Sequence, residues 1–389
     1  MYLIKNIQVY TPENIGVKDV LIDNRIIKIA DNLPEVKEYG VEVIDGRGKI
    51  LTPGFIDCHV HILGGGGEGG AKTRTPEIML SDITSAGVTT VVGCLGTDGT
   101  TRTMTNLLAK AKGLEEEGIS TYVYTGSYQV PVKTLSGSIT DDIILFDKII
   151  GCGEIAISDH RSSCPTKEEF LKIVADTRLG GILAAKAGVV DIHMGDSKDV
   201  LNLLKYVIDN SMIPAFNMLP THINRNGYLM KDGIDYVKNY KGYIDLTTSG
   251  DKDRMEEGEV SAAQGYKMAL DEGCDKTHIT YSSDGQGSLP IFDHEGRYIG
   301  LGVGKVMSIY EEFKDSITKY NLDIETALLP LTINPAKLLK LNNKGEIKEG
   351  NDADLVIMDK DLKITEVFAK GQLMVENAQI KIKGTFEGV

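Results

Sequence analysis

GFIDCHVH, residues 54–61, is a short apolar run that ends in two histidines one residue apart. Read as a strand, its side chains alternate between faces, so His59 and His61 point the same way. Two imidazoles that converge on one face are half of a metal site. Similar runs follow about every 30 residues, the length of a βα unit: VTTVVGC (88–94), STYVYTG (120–126), EIAISDH (154–160), VVDIHMG (189–195), IPAFNML (213–219), YIDLTTS (243–249) and HITYSSD (278–284). Helical patterns lie between them, among them PEIMLSDITSAG, MTNLLAKAKGLEEEG, KEEFLKIVADTRLG and SKDVLNLLKYVIDN. Strands alternating with helices in this way make the fold class α/β and predict a (β/α)8 TIM-like barrel. The dinucleotide fingerprint GxGxxG is absent from the first strand–helix turn, and Gly64–Gly67 instead reads as a close-approach loop around a small ligand.

The two ends of the chain are different in character. MYLIKNIQVY, VKDVLIDNRIIKIA and YGVEVIDGRGKIL open the chain as short alternating strands, and GNDADLVIMDK with ITEVFAKGQLMVENAQIKIKGTF closes it in the same style. We expect one small β-sandwich domain formed by both termini (1–50 plus 345–389), around a barrel over 51–344. Length fits a large domain plus a small one. A net charge of -14 disfavours nucleic acid and anionic membranes as partners, since both call for a basic face. No apolar run approaches the ~20 residues that span a bilayer. The N-terminus lacks a signal-peptide pattern, and five scattered cysteines read as reduced thiols, so a cytoplasmic location is expected.

Reactive groups of such a barrel gather at the C-terminal ends of its strands. His59 and His61 end the first, His193 the fifth, His222 follows the sixth and Asp284 ends the eighth. Four of the seven histidines in the chain thus fall at strand ends. At this point the chain resembles the isoaspartyl (β-aspartyl) dipeptidases of the amidohydrolase superfamily. The segments that carry the resemblance are HILGGGGEGGAKTRTPE, GCLGTDGTTR, TGSYQVP, ISDHRSS, HMGDSKD, LPTHINRN and SSDGQGSLP, and it runs nearly from end to end.

That resemblance implies hydrolysis of β-aspartyl dipeptides by metal-activated hydroxide. His59, His61 and Asp284 would hold the more buried zinc, and His193 and His222 a second. Asp284 would also act as general base and acid, and Tyr128 would stabilise the oxyanion. A β-aspartyl dipeptide carries two carboxylates and one ammonium, which Arg161, Arg225 and Glu68 complement in charge; Gly66, Thr97 and Ser288 correspond to further substrate contacts. The family's bridging ligand is a carbamylated lysine seven residues before the arginine of SDHRS, and counting back from Arg161 gives Glu154. Lys148 and Lys167 are out of register. The bridge is then either the carboxylate of Glu154, whose side chain is shorter, or missing, with only one metal held tightly; we expect Glu154 to supply it. The resemblance also implies a homo-oligomer, an octamer in the family. Alternatives on the same scaffold are an N-acyl-amino-acid deacylase or cyclic amidase, or a non-catalytic dihydropyrimidinase-like protein.

Overall fold

The computed structural model describes residues 1–35, 40–250, 258–292 and 298–388. Six parallel strands form one curled sheet in chain order: Phe55–Val60, Val88–Gly93, Ser120–Thr125, Ile149–Ile157, Val189–Met194 and Met218–Thr221. Every residue of the first, second, fourth and fifth of these is buried, as expected where helices cover one face and the barrel interior the other. A seventh and an eighth strand, Ile244–Thr247 and Ile279–Ser282, pair in parallel. A parallel bridge between Val60 and Gly285 joins the eighth strand back to the first, and the His61 N–H donates to the Gly285 carbonyl at 2.9 Å. Between the sixth and seventh strands a side chain replaces the backbone ladder. Asn224 accepts from the Thr247 N–H at 2.8 Å and donates to the Thr247 carbonyl at 3.0 Å. The (β/α)8 barrel is thus closed by one amide side chain and one bridge.

Helices Met104–Glu116 and Lys167–Leu183 begin where their sequences supply caps. Thr103 accepts from the Asn106 N–H, and Thr166 with Glu169 forms a capping box. Their buried faces, Leu107, Ala111 and Leu114 on one and Phe170, Ile173 and Val174 on the other, pack onto the barrel strands.

The terminal segments meet in one nine-stranded sheet among the described residues. Ile50–Pro53 pairs antiparallel with Leu355–Met358, which stitches the end of the chain to its beginning. Tyr2–Tyr10 forks the sheet, pairing with Asn14–Ile22 on one edge and with both Glu42–Asp45 and Ile50–Pro53 on the other. The arms fold over a core of their own: Ile4, Ile7, Val9, Val20, Ile22, Leu51, Leu355, Ile357 and Phe368. Tyr39, at the start of the third N-terminal run, lies outside the described residues.

Two segments depart from the sequence reading. The sixth strand, expected at 213–219, runs over Met218–Thr221, and Ala215–Asn217 is a 3-10 turn. Pro214 lacks an N–H for a ladder, and Asn217 turns inward to donate to the Gly188 carbonyl at 2.7 Å. After the eighth strand comes an antiparallel pair, Ser288–Phe292 with Tyr298–Val303, a segment that the sequence marks only as a motif.

Candidate active site

Alternation along the first strand puts the rings of His59 and His61 on the barrel interior with centroids 5.4 Å apart. Glu154 reaches the same space through a bulge. Val190 pairs with Cys152 and Ile192 with Ile155, so two residues, Gly153 and Glu154, stand opposite Asp191. A Cβ on Gly153 would lie 2.7 Å from the Asp191 Cβ, so only glycine allows the strands to approach there. His222 (φ 61°) and Asp284 (φ 51°) both occupy the left-handed region at the ends of their strands. Asp, Asn and His tolerate this region better than most side chains, and here it turns both residues at the barrel mouth.

The carboxylate of Glu154 has two distinct sides. Its Oε1 lies 2.7 Å from His193 Nδ1 and 3.3 Å from His222 Nε2. Its Oε2 lies 3.5 Å from His59 Nε2 and 3.7 Å from His61 Nε2, and has no hydrogen-bond partner although fully buried. Asp284 Oδ1 stands 3.0 Å from His61 Nε2 and 3.7 Å from His59 Nε2. Potential ligand atoms fall into two overlapping groups, each within 4.8 Å: His59, His61, Cys94 and Glu154, and then Glu154, His193 and His222. Imidazoles, carboxylates and a thiol are the donors that divalent transition ions take, and an orphaned carboxylate oxygen at their centre fits such an ion.

Electrostatics set the charges of these groups before any metal arrives. Burial opposes the imidazolium form, yet Cys94 and the carboxylates facing them raise His59 and His61 well above their ordinary value, so a metal would have to displace their protons. Burial alone would push the Glu154 carboxyl up, but His59 and His193 facing it hold it well below the usual carboxylate range. Burial, together with repulsion from His193, pulls His222 down to about 4, so it is neutral at pH 7. Burial would raise Asp284 as well, but its contact with His61 and the charges of His61, His222 and His59 together hold it low. The Tyr128 phenol is driven well above its ordinary value by burial and by Glu154, which leaves it a neutral donor. Its hydroxyl lies 2.8 Å from His193 Nδ1.

On the rim, Glu68 gathers several of the expected substrate-binding residues. Its Oε1 accepts from Thr97 Oγ1 at 2.9 Å and from Arg161 Nη1 at 3.3 Å, and its Oε2 from Ser288 Oγ at 3.1 Å. Gly66 (φ 71°) passes beneath, and a Cβ there would meet the Thr73 carbonyl at 2.5 Å and Ser288 Cβ at 3.3 Å. Arg225 stands elsewhere on the rim, donating to the Met194 carbonyl at 2.7 Å and pairing with Asp196 at 3.1 Å.

Three residues that orient the site were not singled out from sequence. Asp191 Oδ2 lies 2.9 Å from His59 Nδ1. Asp159 Oδ2 lies 3.0 Å from His193 Nε2, and the same carboxylate holds Arg161 through its Nε and Nη2 at 3.0 and 2.9 Å. Thr247 Oγ1 lies 2.7 Å from His222 Nδ1. Partners of this kind fix the ring tautomer and aim the opposite nitrogen at the metal. Asp191 carried a signal, as a charge inside an apolar run and two residues from His193 on the same face; Thr247 carried none.

Comparison with known proteins bears on this geometry. The sequence profile of the amidohydrolase family matches residues 50–374. The chain belongs to the amidohydrolase family. Among solved structures, this amidohydrolase is similar to the β-aspartyl dipeptidase of Fervidobacterium islandicum AW-1 in complex with the β-Asp-Leu dipeptide, at 45% identity over 98% of each chain with a TM-score of 0.90. Dihydropyrimidinase of Brevibacillus agri shares the fold, with a TM-score of 0.67 at 15% identity over 98% of this chain and 96% of that one. Among curated sequences, the dihydroorotase of Lactococcus lactis is 23% identical over 94% of this chain and 92% of its own length. The amidohydrolase is a metal-dependent amide hydrolase by family and by the donors in its barrel mouth. Among the described residues, no helix is long and apolar enough to cross a membrane.

Proposed function

We propose that this amidohydrolase cleaves β-aspartyl dipeptides, with zinc as the metal and Glu154 as a carboxylate shared between two ions. His59, His61 and Asp284 would hold one ion, and His193 and His222 the other. When bound, such ions supply hydroxide at neutral pH and polarise the scissile carbonyl. The protein groups do the rest. Asp284, ionised at neutral pH, accepts the proton of the attacking water and returns it to the departing amine. Tyr128, neutral and buried, donates its O–H to the oxyanion that develops on the carbonyl.

The observation that carries the substrate assignment is the pairing of Glu68 with Arg161 at 3.3 Å. Each is the counter-ion of the other, and each is the counter-ion of one end of a zwitterion. A substrate ammonium replaces the guanidinium on Glu68, joined there by Thr97 and Ser288. A substrate carboxylate replaces Glu68 on Arg161, whose other edge stays clamped on Asp159. Both charges of the rim remain compensated before and after the exchange. Arg225 would serve the second carboxylate, and Gly66 leaves the room for close approach. A similar structure with β-Asp-Leu in its site supports the same reading. A ligand with no ammonium would leave Glu68 desolvated and unpaired, which disfavours the cyclic amidase and N-acyl deacylase readings.

The test assays one metal-quantified preparation against β-Asp-Leu, α-Asp-Leu and N-acetyl-leucine, with and without Glu68→Gln. We expect turnover of β-Asp-Leu alone, and a fall in kcat/KM of about 10²-fold in the variant, the worth of one charge-assisted contact. Cleavage confined to the acetylated compound would overturn the assignment.

A further inference from the structure

Cys94, the residue that follows the second barrel strand, is fully buried beside the paired histidines of the first. Its Sγ lies 3.6 Å from His59 Nε2, 3.7 Å from His61 Nδ1 and 3.6 Å from the Val60 carbonyl. All three lie within the reach of a sulfur hydrogen bond, so the sulfur is shared among three neighbours rather than committed to one. The unpartnered Glu154 Oε2 points into the same space from the fourth strand, 3.5 Å from His59 Nε2.

These separations are those of a coordination shell. Zinc binds nitrogen or oxygen at about 2.0–2.1 Å and thiolate sulfur at about 2.3 Å. A tetrahedral arrangement of such bonds sets neighbouring nitrogen and oxygen donors about 3.4 Å apart, and nitrogen and sulfur about 3.6 Å apart. The His59–Glu154 and His59–Cys94 distances match both edges. We propose that Cys94, as its thiolate, is a further ligand of the metal held by His59, His61 and Glu154. On metal entry the S–H proton leaves to solvent and a sulfur–metal bond forms, with no change of oxidation state. A thiolate in the shell selects zinc-like ions over magnesium, calcium or manganese, which prefer oxygen. It also adds one negative charge beside a carboxylate that is shorter than a carbamylated lysine.

The inference rests on the barrel mouth binding a divalent metal, and cobalt(II) separates the two ideas. Metal-stripped enzyme is loaded with cobalt(II), and its near-ultraviolet spectrum is recorded beside cobalt per chain. We expect a thiolate-to-cobalt charge-transfer band that disappears in Cys94→Ser while cobalt still binds, with zinc affinity at least about tenfold weaker in the variant. Cobalt uptake by the natural chain without that band overturns the sulfur ligand alone. A band that persists in Cys94→Ser does the same, by assigning it to another thiol. A chain that takes up no cobalt overturns the metal centre and the ligand together. Should Cys94→Ser fail to fold, Cys94→Ala takes its place in the same comparison.

Discussion

Glu154 and Asp354 are both buried acids, but the chain completes one of them and leaves the other open. At the start of the third barrel strand, Lys344 sits almost wholly buried between Asp352 and Ser120, each at 2.7 Å, and Asp354 on the sheet side. Asp354 also accepts the Lys370 N–H at 2.7 Å. Here charge closes on charge within the protein, and the cluster welds the terminal sheet to the N-terminal face of the barrel. At the opposite face, Glu154 is surrounded by four histidines and keeps an oxygen without a partner. Buried acids that the fold neutralises hold structure; one that it leaves unsatisfied is waiting for something from outside. The difference follows the rule that barrels of this kind keep chemistry at the C-terminal face and stability at the other.

The strongest way to break that contrast is Glu154→Gln. Removing the charge while keeping the shape should cost the second metal and lower kcat/KM by about 10²-fold or more, since several kcal/mol of stabilisation are lost and each 1.4 is tenfold. Added bicarbonate should change neither the natural chain nor the variant, because no lysine stands in register to be carbamylated. Unchanged occupancy and activity would make Glu154 merely structural, and bicarbonate-dependent reactivation would show a carbamylated bridge elsewhere.

Lys344→Met should do the reverse. It leaves Asp352 and Asp354 facing each other without a cation, a loss of about 3–5 kcal/mol for a broken buried pair. Thermal or denaturant unfolding should register it, while turnover per bound metal in the folded fraction stays as it was. A variant as stable as the parent would show that the cluster is not what joins sheet to barrel.

Much of this contrast can be read from the sequence, and the reason is periodicity. His59 and His61 are visible because a period of two forces them onto one face; Glu154 is visible only through the family resemblance, which puts a bridging lysine at its distance from Arg161. The barrel shows through its repeating apolar runs. Cys94 did not show, because it meets the histidines only across two paired strands, a relation that no spacing encodes. The sixth strand was misplaced because an apolar run with a proline reads as strand where it makes a turn. Arg225 was read beside Arg161 from its charge and its strand-end motif, and its contacts with Met194 and Asp196 are a detail that no motif carries.

A subtler case lies between the two faces. Asp245, on the seventh strand, is buried inside the barrel and accepts from Thr280 Oγ1 at 2.6 Å, from Ser282 Oγ at 2.5 Å and, more weakly, from Cys58 Sγ at 3.5 Å. Burial outweighs both hydroxyls and pushes its carboxyl up to about 7. The fold therefore holds this proton more tightly than the unfolded chain does. Its contribution to stability is fully present below the ordinary carboxylate value near 3.8 and is lost as pH rises through about 7. Asp245→Asn keeps the shape but removes the titration: one hydroxyl goes on donating to the amide oxygen, and the other reverses to accept from the new NH2. Compared at equal metal loading, the variant should gain on the parent between pH 5 and pH 8 by several °C in Tm, on the order of 2–4 °C per kcal/mol for a chain somewhat larger than an ordinary domain. A difference in Tm that stays flat across that range would mean that Asp245 is satisfied as an anion, like the acids at the closed face, and that hydroxyls alone can complete a buried charge here.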